Sequence, residues 1–301
     1  MKSYNAATGK DNGVITIVAV MVTYNRSQVV AKALDHLQNQ TYALSRIVVV
    51  DNASTDNTIS VLEKKKQIDN RIHILRNDEN GGFGSGLALG INWAVENLDP
   101  AYIWMMDDDS YPATGALDLL INTISKSCYD LLGLTGYRMG VASKKKVNPL
   151  SGTAEVDFTL IDSALIKAEV TRKSGVPSGD FFMMCEDYEY CLRIKRSGFR
   201  IGVIQNDHVN RLNLGSQRFS KSTLWRGYYH SRNHLLILKN HFSFPRLAHY
   251  VITQIKYLAA GLQAPDRWSR MKFRLIGIYH GLRSVKGKSL DPVTLTFNRN
   301  S

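Results

Sequence analysis

The chain has 301 residues, with 38 lysines and arginines against 26 acids, and a formal net charge of +12. That length holds one large α/β domain with an appendage, or two modest domains, and the bulk composition is that of an ordinary globular protein, not a fibrous or disordered one. The basic excess implies an anionic partner: a nucleotide, a phospholipid surface or a nucleic acid.

Met1 to Asn12 is polar and lacks the apolar core of a signal peptide, and no window reaches the roughly 18 apolar residues of a spanning helix. A tail over 1–13 and folding in the cytosol are expected. Val14 to Thr23 is a near-continuous β-rich run suited to a central parallel strand covered on both faces. Tyr24-Asn25-Arg26-Ser27 interrupts it, and Ser27 is placed to N-cap a helix over 28–38, with Val29, Val30, Ala33, Leu34 and Leu37 on one face. Arg46 to Val50 is a second buried strand closing on Asp51-Asn52-Ala53-Ser54-Thr55-Asp56, where Asp56 can cap the next helix. Arg71 to Leu75 is a third. Strand and helix alternating in this way predict a doubly wound parallel sheet, which binds ligands at the carboxyl ends of its strands.

The loops at 23–26, 51–56, 76–86 and 107–109 therefore converge on one rim. Asn80-Gly81-Gly82-Phe83-Gly84-Ser85-Gly86 leads into a helix over 87–96. Its glycines fit either close approach of backbone N–H groups to a phosphate or ribose, or a plain flexible turn, and the segment matches neither the dinucleotide nor the phosphate-loop motif. Next, a buried strand over 101–106 ends abruptly in Asp107-Asp108-Asp109. Three adjacent acids repel one another unless a cation neutralises them, so a metal-holding strand end is expected in preference to a solvated acidic loop.

Tyr111-Pro112 turns the chain into a helix over 113–125. Short strands over 133–137, 146–150 and 156–166 shape the acceptor side of the cleft, and Lys144-Lys145-Lys146 reads as a solvated turn. Phe181-Phe182-Met183-Met184 then forms an apolar shelf before Glu186, Asp187 and Glu189. Acids at a helix start complement its dipole; behind such a shelf they are also partly desolvated, which makes a carboxylate a useful general base. Cys185 and Cys191 read as helix-face packing residues, and three cysteines without a Cys-x-x-Cys pair fit a reducing compartment. Gly198 ends the helix, 200–204 is a strand, and His208 gains meaning only if a metal needs a nitrogen donor.

The last third is helical and basic. In the helix over 224–239, Arg232 is placed to meet a phosphate with Tyr228 or Tyr229 beside it. Nine lysines and arginines between 246 and 288 stand against the single acid Asp266, interleaved with Leu247, Tyr250, Val251, Ile255, Leu258, Leu262, Trp268, Phe273, Ile276 and Tyr279. This pattern describes basic amphipathic helices on an anionic membrane, or helices packed on the catalytic domain with a solvated basic face.

The motifs Val20 to Arg26, Val50 to Asp56, Asn80 to Gly84, Trp104 to Asp109, Phe182 to Tyr190 and His208 resemble the inverting family 2 glycosyltransferases, in their bacterial galactofuranosyl- and rhamnosyltransferase branch. The resemblance implies an α/β GT-A (Rossmann-like) domain over 14–220, with a nucleotide-binding half at 14–110 and an acceptor half at 111–220. Basic helices for membrane association or packing follow at 221–301. It implies that Thr23, Tyr24, Asn25, Arg26, Asp51, Asn52, Asn80, Gly82 and Gly84 line the nucleotide site, with Thr23 and Arg26 holding the nucleotide and Asp51 the uracil or neighbouring sugar. Asp107, Asp109 and His208 would bind Mn or Mg, Asp108 would face the sugar or support the ligands, Asp187 would be the general base and Glu186 would orient hydroxyls.

UDP-galactofuranose is the preferred donor and dTDP-rhamnose the alternative. The expected acceptor is a lipid-linked oligosaccharide or polysaccharide of the bacterial surface, reached from the inner face of the cytoplasmic membrane; an oligomer is compatible with the sequence. Ile161-Asp162-Ser163-Ala164 lacks the glycine often found there in the family, and long flanking domains are absent, so addition of one or a few sugars is expected. A nucleic-acid-binding module predicts basic and aromatic residues around a recognition element, whereas the distinctive clusters here are acidic. No nucleic-acid partner is expected.

Overall fold

A computed structural model describes residues 10–11, 14–141, 143–205, 209–211 and 223–298. Strands β1 (Ile17–Thr23), β2 (Arg46–Asp51), β3 (Ile72–Arg76) and β4 (Tyr102–Asp107) alternate with helices α1 (Ser27–Gln38), α2 (Thr58–Ile68) and α3 (Phe83–Leu98). Helix α4 (Ala116–Lys126) precedes strands β5 (Leu131–Gly133), β6 (Gly136–Met139), β7 (Lys144–Val147), β8 (Thr153–Glu155), β9 (Phe158–Thr159) and β10 (Ser163–Lys167). Helices α5 (Ala168–Ser174) and α6 (Glu186–Arg196), strand β11 (Ile201–Ile204) and helices α7 (Leu224–Asn240), α8 (Phe244–Leu262) and α9 (Arg267–Leu282) complete the order.

The main sheet runs β8-β11-β5-β10-β4-β1-β2-β3. Its β4-β1-β2-β3 half is wholly parallel, and antiparallel β10 joins that half to β5. Period-two alternation divides β1 between two cores: Val18, Val20 and Val22 pack toward α3 and α6, and Ile17, Ala19 and Met21 toward α1 and α4. Both faces are covered, which is why β1 is buried throughout.

Two expectations for the first half move. Helix α3 starts at Phe83, so the glycine segment is its opening turn rather than a free loop. Glycine is required there by packing: a Cβ on Gly86 would lie 2.6 Å from Val22 Cγ1, and one on Gly84 would lie 2.7 Å from the Ser178 carbonyl oxygen. Gly82 adopts φ +87° with its α-carbon against the Phe182 backbone, where a Cβ would overlap the carbonyl oxygen. At the helix caps, α1 begins at Ser27 itself, and the N-cap of α2 is Asn57 rather than Asp56, although the Asp56 carboxylate still accepts from Thr58 N at 2.9 Å.

In the second half, Lys144-Lys145-Lys146 is an exposed strand paired with β6, not a turn. Its register places Lys144 Nζ 3.9 Å from the Tyr137 ring centroid, a cation–π contact that a turn would not provide. The strands expected over 133–137 and 156–166 each divide into two short ones, since glycines and polar residues interrupt their pairing.

Helix α7 is welded to the segment before α6. Arg232, fully buried, donates to the carbonyls of Phe181 (2.9 Å), Asp180 (3.2 Å) and Gly287 (2.7 Å) and to Ser289 Oγ (2.5 Å). Asn233 Nδ2 donates to the Phe181, Met183 and Met184 carbonyls at 2.7–3.0 Å. Arg232 is therefore not available to a phosphate; the Asp180, Phe181 and Gly287 carbonyls, Ser289 Oγ and Asn233 Oδ1 take its donors, beside an irregular backbone with positive φ at Phe182, Met184 and Cys185.

Candidate active site

The ends of β1, β2 and β4 meet as expected, but most polar groups there hold one another. Asp108 is 1 % exposed. It accepts from Thr23 Oγ1 at 2.7 Å and from Arg26 Nη1 at 2.6 Å, so Thr23 and Arg26 clamp the acid triplet rather than reaching outward as the resemblance implied. Asp109 is also buried, 4.0 Å from Arg26 Nη1. Asp108 is thus buried under contacts from Thr23 and Arg26 and does not line the neighbouring cavity.

Asp51 is fully buried and accepts from Ser54 N through both oxygens at 3.1 and 3.2 Å, with Arg76 Nε 3.5 Å away. It shapes the β2–α2 turn. Asn25, at φ +51°, accepts through Oδ1 from Thr55 N at 2.7 Å, tying the β1–α1 loop to that turn. Asn52 donates to the Gly82 carbonyl at 2.9 Å and Asn80 Oδ1 accepts from Gly82 N at 3.0 Å, so both brace the start of α3. Among these rim residues, Tyr24 and Asn25 are exposed, and Arg26 and Asn80 partly so.

Chemistry concentrates in a neighbouring cavity of about 620 Å³. Of the triplet, Asp107 alone lines it, facing Asp162, Glu186, Asp187, Lys144 and the histidines His230, His234 and His249. Four carboxylates on one wall raise the affinity for protons. Burial, reinforced by Asp187, Asp107 and Asp162, pushes Glu186 up to about 8, and Glu186 Oε2 is buried without a hydrogen-bond partner. Burial also pushes Asp187 up to about 6 against the opposing pull of Lys144 and of Tyr188 N, which donates to Asp187 Oδ1 at 2.7 Å. The shelf works as expected: Phe181 and Phe182 are buried, and Met183 and Met184 form cavity wall beside the acids.

Asp107 is the member of the triplet that lines the cavity, and a carboxylate there is the donor type a hard divalent cation takes. Asp109 is turned toward Arg26, and His208, the expected nitrogen ligand, lies outside the described residues.

Asp162, Lys144, His230, His234 and His249 were not marked as site residues by sequence. Only the spacing of four between His230 and His234 hinted at a shared helix face. Cys185, expected to pack on a helix face, is the N-cap of α6 and lines the cavity; Cys191 is in the core.

A second cavity of about 520 Å³ shares Met184, His230 and Tyr257 with the first and carries Arg226, Arg270 and Arg274 among apolar residues. Arg226 Nε is buried there without a hydrogen-bond partner.

An uncharacterised glycosyltransferase of Haemophilus influenzae is 24 % identical over 203 residues, 60 % of this chain and 61 % of that protein. Galactofuranosyltransferase GlfT1 of Mycolicibacterium smegmatis is 26 % identical over 211 residues, 62 % of this chain and 67 % of that protein. The crystal structure of GalNAc-T7 with UDP, GalNAc and Mn2+ superposes with a TM-score of 0.65 at 14 % identity, covering 91 % of this chain and 57 % of that one, a likeness of fold. The sequence profile described as Glycosyl transferase family 2 matches residues 18–192, from the start of the central strand to the middle of α6. More than half of the chain lies in that match, and with a GT-A sheet beneath it the protein belongs to the family 2 glycosyltransferases.

Proposed function

We propose that the protein is an inverting transferase that moves galactofuranose from UDP-galactofuranose to a hydroxyl of a lipid-linked or polysaccharide acceptor in a bacterial surface glycan. The observation that carries this reading is the placement of Asp187, raised to about 6, in one cavity with Asp107 and Glu186. Asp187 accepts the acceptor hydroxyl proton as the oxygen attacks the anomeric carbon and the bond to the UDP oxygen breaks. One displacement inverts the centre, and no covalent enzyme nucleophile is required. A Mn or Mg ion bound through Asp107, with Asp109 and His208 as the remaining expected ligands, would neutralise charge on the departing diphosphate. Glu186 orients donor or acceptor hydroxyls, and the exposed Tyr24 and partly exposed Arg26 edge the nucleotide side.

The donor choice is supported by the GlfT1 likeness and by the Trp104-to-Asp109 motif. A panel of UDP- and dTDP-sugars assayed by nucleotide release with Mn tests it. UDP-galactofuranose is expected to give the largest kcat/KM; a preference for dTDP-rhamnose would move the protein to the rhamnosyl branch, and inactivity with every donor would remove the reading.

An anionic, lipid-linked acceptor is supported by the arginine cavity, whose apolar walls and unpartnered Arg226 Nε suit a diphosphate on a lipid. Among the described residues no helix is long and apolar enough to cross a membrane. Instead, Phe244, Leu247, Val251 and Ile255 on α8 and Trp268, Leu275, Tyr279 and Leu282 on α9 are exposed at helical spacing among basic residues. Such faces bind reversibly at an anionic bilayer surface. The protein is expected to float with vesicles containing phosphatidylglycerol and to remain behind with neutral ones, and Phe244→Glu with Trp268→Glu to abolish flotation. Equal recovery with both vesicle types would rule out the membrane face.

A further inference from the structure

Cys185, His230 and His234 converge on the cavity wall from two elements, and the family reaction leaves all three without a task. One donor atom from each lies within 4.8 Å of the other two. His230 and His234 are four apart on α7, so their rings project from one face, with centroids 4.4 Å apart and planes 30° from parallel. Cys185 comes from the other side, held at φ +71° where the Arg232 and Asn233 hydrogen bonds fix the preceding backbone. His230 Nδ1 is buried without a hydrogen-bond partner. A buried ring nitrogen left unsatisfied is costly, and a metal ion is one partner that satisfies it.

We propose that Cys185, His230 and His234 form a binding site for a borderline-soft divalent cation of the zinc class, with its fourth coordination position open to the cavity. One thiolate and two imidazoles are a zinc donor set, and three protein ligands with one open position are the arrangement of reactive rather than purely structural zinc sites. Tetrahedral coordination at ordinary Zn–S and Zn–N lengths brings donor atoms to about 3.5 Å from one another. Side-chain rotation of about 1 Å closes the site from its present spread.

Both imidazoles are held neutral, His234 down to about 3, by burial and by the nearby cations, so their lone pairs are available. Lys144 and Arg274 oppose a bound cation; Asp187, Glu186 and the thiolate formed on binding favour it. Binding releases the Cys185 Sγ proton to solvent, since the thiol is otherwise protonated in this buried, acid-lined position. This chemistry differs from that of the oxygen donors at Asp107: a hard ion belongs there and a thiophilic one here, so the two sites are separable by choice of metal.

The test uses full-length protein carrying Cys128→Ser, stripped of metal, without any sugar donor. Cys128 is the exposed cysteine and Cys191 is buried, so Cys185 is left as the thiol that reagents reach. Titration with Co2+ is expected to give one equivalent of a thiolate-to-cobalt charge-transfer absorption that Zn2+ displaces. Cys185→Ser is expected to lose the band, and His234→Ala to weaken binding at least tenfold, since even outer partners of metal ligands are worth about 10–100-fold. Asp107→Asn should leave the band in place. Where a variant fails to fold, alkylation of Cys185 in the Cys128→Ser protein decides the matter: Zn2+ is expected to block it and Mg2+ not to. Absence of the band, its persistence in Cys185→Ser, or alkylation unaffected by Zn2+ would overturn the proposal. Because no donor is present, these results stand apart from the outcome of the donor panel.

Discussion

Asp187→Asn is expected to lower kcat by about 10²–10⁴-fold while leaving UDP affinity within about twofold of wild type, the usual magnitude for loss of a positioned general base. The amide preserves size and the Tyr188 N contact geometry but cannot take a proton. The pH dependence has a definite sign. Protonation removes the base, so wild-type kcat/KM should fall about tenfold per unit below the Asp187 pKa, which is about 6 in the ligand-free protein. A cation bound through Asp107, in the same cavity, favours the Asp187 carboxylate and moves that limb to lower pH. The acid limb should be missing from the residual activity of Asp187→Asn. Isothermal UDP binding and initial rates across pH 5–8 measure both effects; a variant with more than a tenth of wild-type kcat would mean that another group removes the proton.

Arg232→Lys is expected to destabilise the protein by at least about 3 kcal/mol, and to reduce the activity of the molecules that remain folded. The reasoning starts from donor counting. Arg232 serves three carbonyls and the Ser289 hydroxyl from a planar fork, and it is fully buried. A lysine has three donors on a flexible stem and keeps the buried charge, so acceptors are orphaned without relief of desolvation. Two of the three carbonyls that lose their partner, those of Asp180 and Phe181, belong to the segment that sets down Cys185, Glu186 and Asp187. Arg232 is a positioning residue, and its loss should raise KM for the acceptor and lower kcat together. Urea denaturation and steady-state kinetics on the same preparation check this; a stability change under about 1 kcal/mol would show that the 181–184 backbone holds its shape unaided.

The fold was largely legible in sequence because its signals are local. Val18 to Val22, Ile47 to Val50 and Ile103 to Met106 are continuous apolar runs, and such runs specify buried strands. Strand, helix and strand in sequence then leave few topologies. The glycine segment was legible only in part: a local reading leaves close approach to a ligand and a flexible turn both open, whereas Gly82, Gly84 and Gly86 are places where another backbone or a strand side chain comes too close for a Cβ.

By itself, the sequence determined the parallel sheet, the order of the rim loops, the acid triplet at a strand end and the acidic start of α6 after an apolar shelf. All of these depend on neighbours within a few residues. The tertiary structure decided which carboxylate meets the cavity, because the partner that buries Asp108 is Arg26, 82 positions away, and no local pattern encodes that pairing. It likewise decided that Arg232 braces the backbone instead of binding phosphate, and that Cys185 faces His230 and His234 across the cavity wall. Side-chain roles of this kind are set by long-range packing and by the satisfaction of buried polar groups, which come into being only when distant segments meet.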